Sequence, residues 1–255
     1  MRPVAAPHAP AKADLLDLPA FDGLPLSRVH TPHTADALAD AWADLSAQRF
    51  IGFDTESKPT FNKGEVSGGP DVVQFASPGA AYVLQLRHPA AQDFVRRVLA
   101  APELVKVGFG LGQDQQQLLQ RLGVRAQPLL DLDVVFRRQG HAHTIGIKTA
   151  VALVFGQRFA KSKRITTSNW SATVLDERQR LYAANDAWVA LRVLQGLGLA
   201  ESELPVWPEG VPPPTAPRRP RLSEVPAAGQ EGAATVAPRR RRRRPPRPAP
   251  AGGDQ

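Results

Sequence analysis

Apolar positions recur along this chain with two periods, and the switches between them mark out the elements. Across 34–47 the apolar residues Leu38, Ala41, Trp42 and Leu45 fall at helical spacing behind Thr34, a residue suited to capping. Phe50-Ile51-Gly52-Phe53 then runs into Asp54-Thr55-Glu56, a strand that ends in carboxylates. A loop rich in Gly and Pro follows over 57–70, and 72–76 and 81–86 predict two strands joined by the turn Ser77-Pro78-Gly79. Pro89 opens a helix to Leu99, where its missing N–H is harmless in the first turn. Residues 104–109 predict a fourth strand, 112–122 a helix closed by Gly123, and 128–135 a fifth strand. From Ile145 onward the period is helical, with a long last helix over 176–197. Strands that come early and then alternate with helices predict an α/β fold with a mixed five-stranded sheet flanked by helices.

Composition divides the chain into three parts. Residues 1–25 are rich in Ala and Pro and are expected to be poorly ordered, 26–204 form the folded domain, and 205–255 are Pro, Arg, Ala and Gly. The last part cannot bury enough apolar surface to offset its ordering entropy, so a disordered basic tail is expected. The formal charge of +8 is uneven: residues 1–204 carry 22 Lys+Arg against 20 Asp+Glu, and 205–255 carry 10 Arg against 4 acids. An argument from net charge for nucleic-acid binding therefore applies to the tail, with its run of six arginines over 239–244, and not to the fold. Compositional drift toward Arg, Ala and Pro explains that run equally well. With no cysteine there are no disulfides, no thiolate nucleophile and no Cys-based zinc site. The N-terminus lacks a continuous apolar leader, and the longest apolar stretch, 150–155, is far short of the roughly 20 residues of a membrane helix. A soluble, cytoplasmic protein without membrane contact is expected.

The candidate chemistry lies in four carboxylates and a phenol. Asp54 and Glu56 are two apart on a strand and so share a face. Like charges that close are tolerated mainly when a cation or a shared proton neutralises them. Tyr182 and Asp186 are four apart in the long helix and share a face there. Oxygen-only ligand sets suit hard ions such as Mg²⁺ or Mn²⁺, and paired ions of that kind drive in-line attack on phosphodiesters. The sequence points to a nuclease.

Three segments in order resemble a known superfamily. Phe53-Asp54-Thr55-Glu56, then Val107-Gly108 with Asp114 and Leu118, then Tyr182-Ala183-Ala184-Asn185-Asp186-Ala187 are similar to the motifs of the DEDD 3′→5′ exonucleases, whose fold is RNase H-like. The tyrosine resembles that of the subclass containing RNase D and the Werner-type exonuclease domains. The stretch 161–170, ending in Ser168-Asn169-Trp170, is similar to the basic-then-Trp segment those proteins carry before the third motif. The likeness covers residues 34–200. It implies that Asp54 bridges two divalent cations, Mg²⁺ or Mn²⁺, that Glu56 and Asp186 complete one of them, and that Asp114 supports the other. It also implies that Tyr182 orients the attacking water; a phenol with an intrinsic pKa near 10 suits positioning better than proton abstraction. The expected partner is DNA or RNA with a free 3′ end, and the product a nucleoside 5′-monophosphate.

Lys148, Lys161, Lys163 and Arg164 are candidates to hold backbone phosphates, and Phe61 and Trp170 to stack on terminal bases, with a solvated basic face and core packing as the competing readings. Gly108-Phe109-Gly110-Leu111-Gly112 has Gln113 where a dinucleotide-binding loop needs its third glycine, and no Gly-Lys-Ser/Thr follows, so no nucleotide cofactor is expected. Asp131 and Asp133 read as structural, and His141 with His143 as surface residues. Three other readings stand beside a stand-alone exonuclease. An RNase D-like enzyme trimming tRNA 3′ ends would normally carry further helical domains. A non-catalytic nucleic-acid-binding module would not need all five site residues. An enzyme degrading very short RNA would usually place His where Tyr182 stands.

Overall fold

The computed structural model describes residues 14–59 and 68–207. Its strands are β1 (Val29–His30), β2 (Phe50–Glu56), β3 (Val72–Ala76), β4 (Ala81–Gln85), β5 (Val105–Gly108) and β6 (Leu129–Asp131). They form one sheet in the order β1-β4-β3-β2-β5-β6. β2, β3 and β4 run antiparallel, while β1 on β4, β5 on β2 and β6 on β5 are parallel. The helices are α1 (Ala35–Ser46), α2 (Pro89–Ala100), α3 (Gly112–Leu122), α4 (Leu132–Arg138), α5 (Ile147–Phe155), α6 (Lys163–Thr166) and α7 (Glu177–Leu197).

The two sheet faces carry different loads. Ile51, Phe53, Val73, Phe75 and Leu84 point to one face, where residues of α1, α2 and α3 complete an apolar cluster. Gly52, Asp54 and Glu56 alternate to the other face, which α7 crosses. Helix α7 starts in a capping box: Asp176 Oδ1 accepts from Gln179 N, and Asp176 N donates to Gln179 Oε1. The helix passes so close to β2 that a β-carbon on Gly52 would lie 2.0 Å from the Ala187 carbonyl oxygen. Glycine is required there by space, and this approach brings Asp186 down to Asp54.

The sheet has six strands where five were expected, because the two-residue β1 is too short to leave a period in the sequence. The fifth expected strand, 128–135, is shorter. It stops at Asp131, whose carboxylate accepts from Asp133 N at 3.0 Å and so caps α4 instead. Order also begins earlier than residue 26. Phe21 N donates to Arg158 O and Arg158 N to Pro19 O, at 3.0 and 2.8 Å, and the Phe21 ring packs on Phe155, Phe159 and Trp188. Leu24 N donates to Asn185 Oδ1 at 2.8 Å. Two apolar anchors are enough to tie down a stretch that composition alone reads as loose. At the other end Trp207 N donates to Leu129 O at 3.0 Å, so the chain is still paired past residue 204. The expectations for 1–13 and for the arginine-rich segment from residue 208 lie outside the described residues.

Replacing Gly52 by Ala should force α7 off β2 and cost at least about 1–3 kcal/mol. Chemical denaturation of the two proteins measures this, and equal midpoints would mean the close approach is not required.

Candidate active site

The end of β2 and one face of α7 bring Asp54, Glu56 and Asp186 together, with one carboxylate oxygen of each within 4.8 Å of the others. Asp54 and Glu56 come from alternate positions on the strand, and Asp186 from one turn beyond Tyr182. Asp114, in the first turn of α3, adjoins this group but is not within it. The Thr55 hydroxyl, pointing to the opposite side of β2 from its neighbours, donates to Asp114 Oδ1 and so sets the fourth carboxylate beside the other three.

Electrostatics mark the cluster as unable to stay fully ionised by itself. Burial, then Asp186, Asp114 and Glu56, hold the Asp54 carboxyl well above the ordinary carboxylate range. Burial and the neighbouring Asp186 push Glu56 up to about 8. Asp186 is raised by burial to about 6, with Lys161 holding it down from a higher value. Asp114 is raised by burial, against the stabilising hydroxyl of Thr55. Lys161 Nζ sits 2.6 Å from Asp186 Oδ2, in an ion pair. Burial works against its charge, yet Asp186 and Asp54 outweigh that and hold Lys161 above the usual lysine range.

Tyr182 stands over this group. Its hydroxyl is 2.7 Å from Thr166 Oγ1, and Lys161 Nζ lies 4.9 Å from the centre of its ring. Burial and Asp186 raise its pKa, so the phenol stays protonated at neutral pH. A cavity of about 380 Å³ opens beside Tyr182 and Asp186, with Phe21, Phe159, Arg164 and Arg178 on its walls.

Of the other candidates, Lys163 and Arg164 are exposed on α6, and Lys148 is exposed on α5 near enough to Asp186 to lower its pKa. Lys161, a candidate to hold backbone phosphates, is paired with Asp186 within the carboxylate group. Trp170 is a correction. It is 0% exposed in the cluster with Leu175, Ala183 and Ala187, and its indole N–H donates to Thr166 O, so it is core and offers no surface to a base. Phe61 lies outside the described residues. Asp131 and Asp133 are engaged by backbone N–H groups, those of Gly110, Leu111 and Asp133 on the first and that of Ile145 on the second. Sequence reasoning missed Thr55, although a hydroxyl flanked by two carboxylates on a strand must face away from them, toward the next element.

The profile of the 3′-5′ exonuclease family matches residues 29–200 of this chain. The chain belongs to the 3′-5′ exonuclease family. It is 31% identical over 156 residues to the bifunctional 3′-5′ exonuclease/ATP-dependent helicase WRN of Mus musculus, across 60% of this chain and 11% of that protein. It is 29% identical over 163 residues to a 3′-5′ exonuclease of Arabidopsis thaliana, across 62% of this chain and 57% of that protein. The chain thus corresponds to part of the length of these relatives. In fold it resembles RNase D of Escherichia coli, with a TM-score of 0.57 at 24% identity over 67% of this chain and 44% of that one. It also resembles the exonuclease domain of Nibbler from Aedes aegypti, with a TM-score of 0.58 at 22% identity over 69% of this chain and 90% of that one. Divalent-metal dependence is implied for the family, and the donor set fits it. The cluster is made only of carboxylate oxygens, and the buried Asp186 Oδ1 has no hydrogen-bond partner among the described residues. No helix among the described residues is long and apolar enough to cross a membrane.

The folded protein keeps Glu56 protonated up to about 8, whereas the unfolded chain releases that proton near 4.5. Folding therefore takes up protons between those values, and the stability of the metal-free protein should fall as pH rises through that window. Lys161 stays charged throughout and does not alter the sign. Added Mg²⁺ or Mn²⁺ should raise the melting temperature more at the upper end of the window than at the lower. Melts in chelator and in metal across the window check this, and a metal effect independent of pH would contradict it.

Proposed function

We propose that this domain is a two-metal-ion 3′→5′ exonuclease that hydrolyses nucleic-acid phosphodiesters from a free 3′ end and releases nucleoside 5′-monophosphates. The observation that carries this reading is the approach of Asp54, Glu56 and Asp186 to within 4.8 Å, in a chain of this family. Asp54, Glu56 and Asp186 would hold one divalent ion, Mg²⁺ or Mn²⁺, and Asp54 with Asp114 a second. The chemistry such ions supply is Lewis-acid stabilisation of the attacking and leaving oxygens.

The chain's own residues do the rest. Tyr182, protonated and anchored to Thr166 Oγ1, orients the attacking water through its hydroxyl. Lys161 balances Asp186 before substrate arrives and presents its ammonium to the scissile phosphate afterward. The exposed Lys148, Lys163 and Arg164 hold the strand by its phosphates, which is why the reading carries no sequence preference. The cavity beside Tyr182 has the size and the mixed apolar and cationic walls that suit one nucleotide unit. The arginines over 239–244 add salt-sensitive affinity for the same strand.

A second reading, RNA 3′-end processing in the manner of RNase D, is favoured by a specific likeness. The chain matches Ribonuclease D of Acidiphilium cryptum at 29% identity over 64% of its length, and it shares the fold of the Trypanosoma brucei RNase D solved with RNA U12, at a TM-score of 0.59.

A gel time course on 5′-labelled single-stranded DNA and RNA, with and without Mg²⁺ or Mn²⁺, tests the reading. A metal-dependent ladder shortening from the 3′ end is expected, and a marked preference for RNA would favour the second reading. Asp54→Asn should lower the rate by more than about a hundredfold while leaving the strand bound. Retained turnover there would sink the assignment, and retained binding without any ladder from the wild type would mark a binding module. Tyr182→Phe should slow turnover by about a hundredfold without changing metal affinity; unchanged turnover would remove its role.

A further inference from the structure

Gln74 is the central residue of β3 and is 0% exposed. Its neighbours Val73 and Phe75 point to the α1–α3 face, so Gln74 points to the face crossed by α7. It pairs directly with Asp54 on β2 and with Val83 on β4. The apolar cluster on that face includes Val72, Ala76, Val83, Trp170, Ala183 and Ala187. Neither Nε2 nor Oε1 of its carboxamide has a hydrogen-bond partner among the described residues.

Among the buried glutamines of the described residues, that state is Gln74's alone. The other two buried glutamines are saturated: Gln115 donates to Ala126 O and accepts from Ala126 N, and Gln179 completes the capping box of α7 and donates to Ser168 Oγ. An amide sealed among aliphatic side chains without a partner destabilises the fold, and an apolar residue of equal size would be better tolerated there. Its position says what it serves. Cross-strand neighbours on one face hold their Cβ atoms about 4.5–5.5 Å apart, within reach of one rotamer change of a glutamine. The other amide on this face, Gln85, is already committed to Ala172 O at 2.8 Å.

We propose that Gln74 is a positioning residue for Asp54: its Nε2–H donates to the Asp54 carboxylate when that carboxylate turns to ligate a divalent cation, and fixes the ligating rotamer. The proposal rests on the reading of Asp54, Glu56 and Asp186 as a metal site. Gln74 touches neither substrate nor cation and acts through Asp54 alone. A metal ligand whose free oxygen is held by a second residue binds more tightly because its orientation is set beforehand.

The test uses the full chain as wild type, Asp54→Asn, Gln74→Met and Gln74→Leu. Mn²⁺ affinity is read without nucleic acid from the electron paramagnetic resonance signal of free Mn²⁺, and thermal midpoints are taken in chelator. Both Gln74 variants should melt higher than wild type, by roughly 2–4 °C. Both should bind Mn²⁺ about 10–100-fold more weakly. On labelled strand, the Mn²⁺ concentration for half-maximal rate should rise while the rate at saturating Mn²⁺ is largely kept. A raised midpoint with unchanged Mn²⁺ affinity would make the amide a packing defect and overturn the proposal. A lowered midpoint in chelator would mean the amide already has a partner in the free protein, and overturns it too. If wild type and Asp54→Asn bind Mn²⁺ alike, the metal-site reading fails and takes this proposal with it. If they differ widely and both Gln74 variants match wild type, this proposal alone fails.

Discussion

Three carboxylates held within 4.8 Å of one another repel, and much of the chain's architecture opposes that repulsion. Helix α7 is pressed onto β2 at Gly52, which leaves Asp186 no room to retreat from Asp54. Lys161 stands against Asp186, and Thr55 holds Asp114 from the far side of its strand. The raised proton affinities of Asp54 and Glu56 show that these devices reduce the conflict without removing it. A site left in this state by its own protein is one whose balance is completed by a cation.

The division of the sheet into two faces makes such tension bearable. The α1–α3 side takes the large side chains of the central strands, with Phe53, Phe75 and Leu84 fully buried. Where α7 crosses β2 and β3 the residues are small, with Ala183, Ala184 and Ala187 beside Gly52 and Ala76, and this lets backbones approach closely enough to place short carboxylates together. Alternation along β2 sends Phe53 to the first task and Asp54 to the second.

The core of the site was legible because its geometry follows from short-range periodicity. Two residues apart on a strand and four apart on a helix fix which side chains share a face, and Asp54 with Glu56 and Tyr182 with Asp186 obey those rules. Most of what escaped depends on partners far away in the chain. Residues 14–25 look loose by composition and are tied by Arg158 and Asn185, and the strand expected through Val135 ends at Asp131 because that carboxylate caps α4 through the Asp133 amide. Trp170 could be read as a stacking surface or as core, and only the packing of α7 over it decides for core. Lys161 was visible as a cation, but its place among the carboxylates is set by the loop between α5 and α6.

The bond from Leu24 to Asn185 spans 161 residues, and Asn185 is adjacent to Asp186. The segment before β1 and the last of the four site carboxylates are thus fastened at neighbouring residues. A growing polypeptide that has emerged only as far as α5 already holds Asp54, Glu56 and Asp114, yet it has neither Asp186 nor the clasp that closes the domain. In the proposed reading, hydrolytic competence therefore waits for α7, and a chain stopped at α5 carries three of the four carboxylates without the one that closes the cluster.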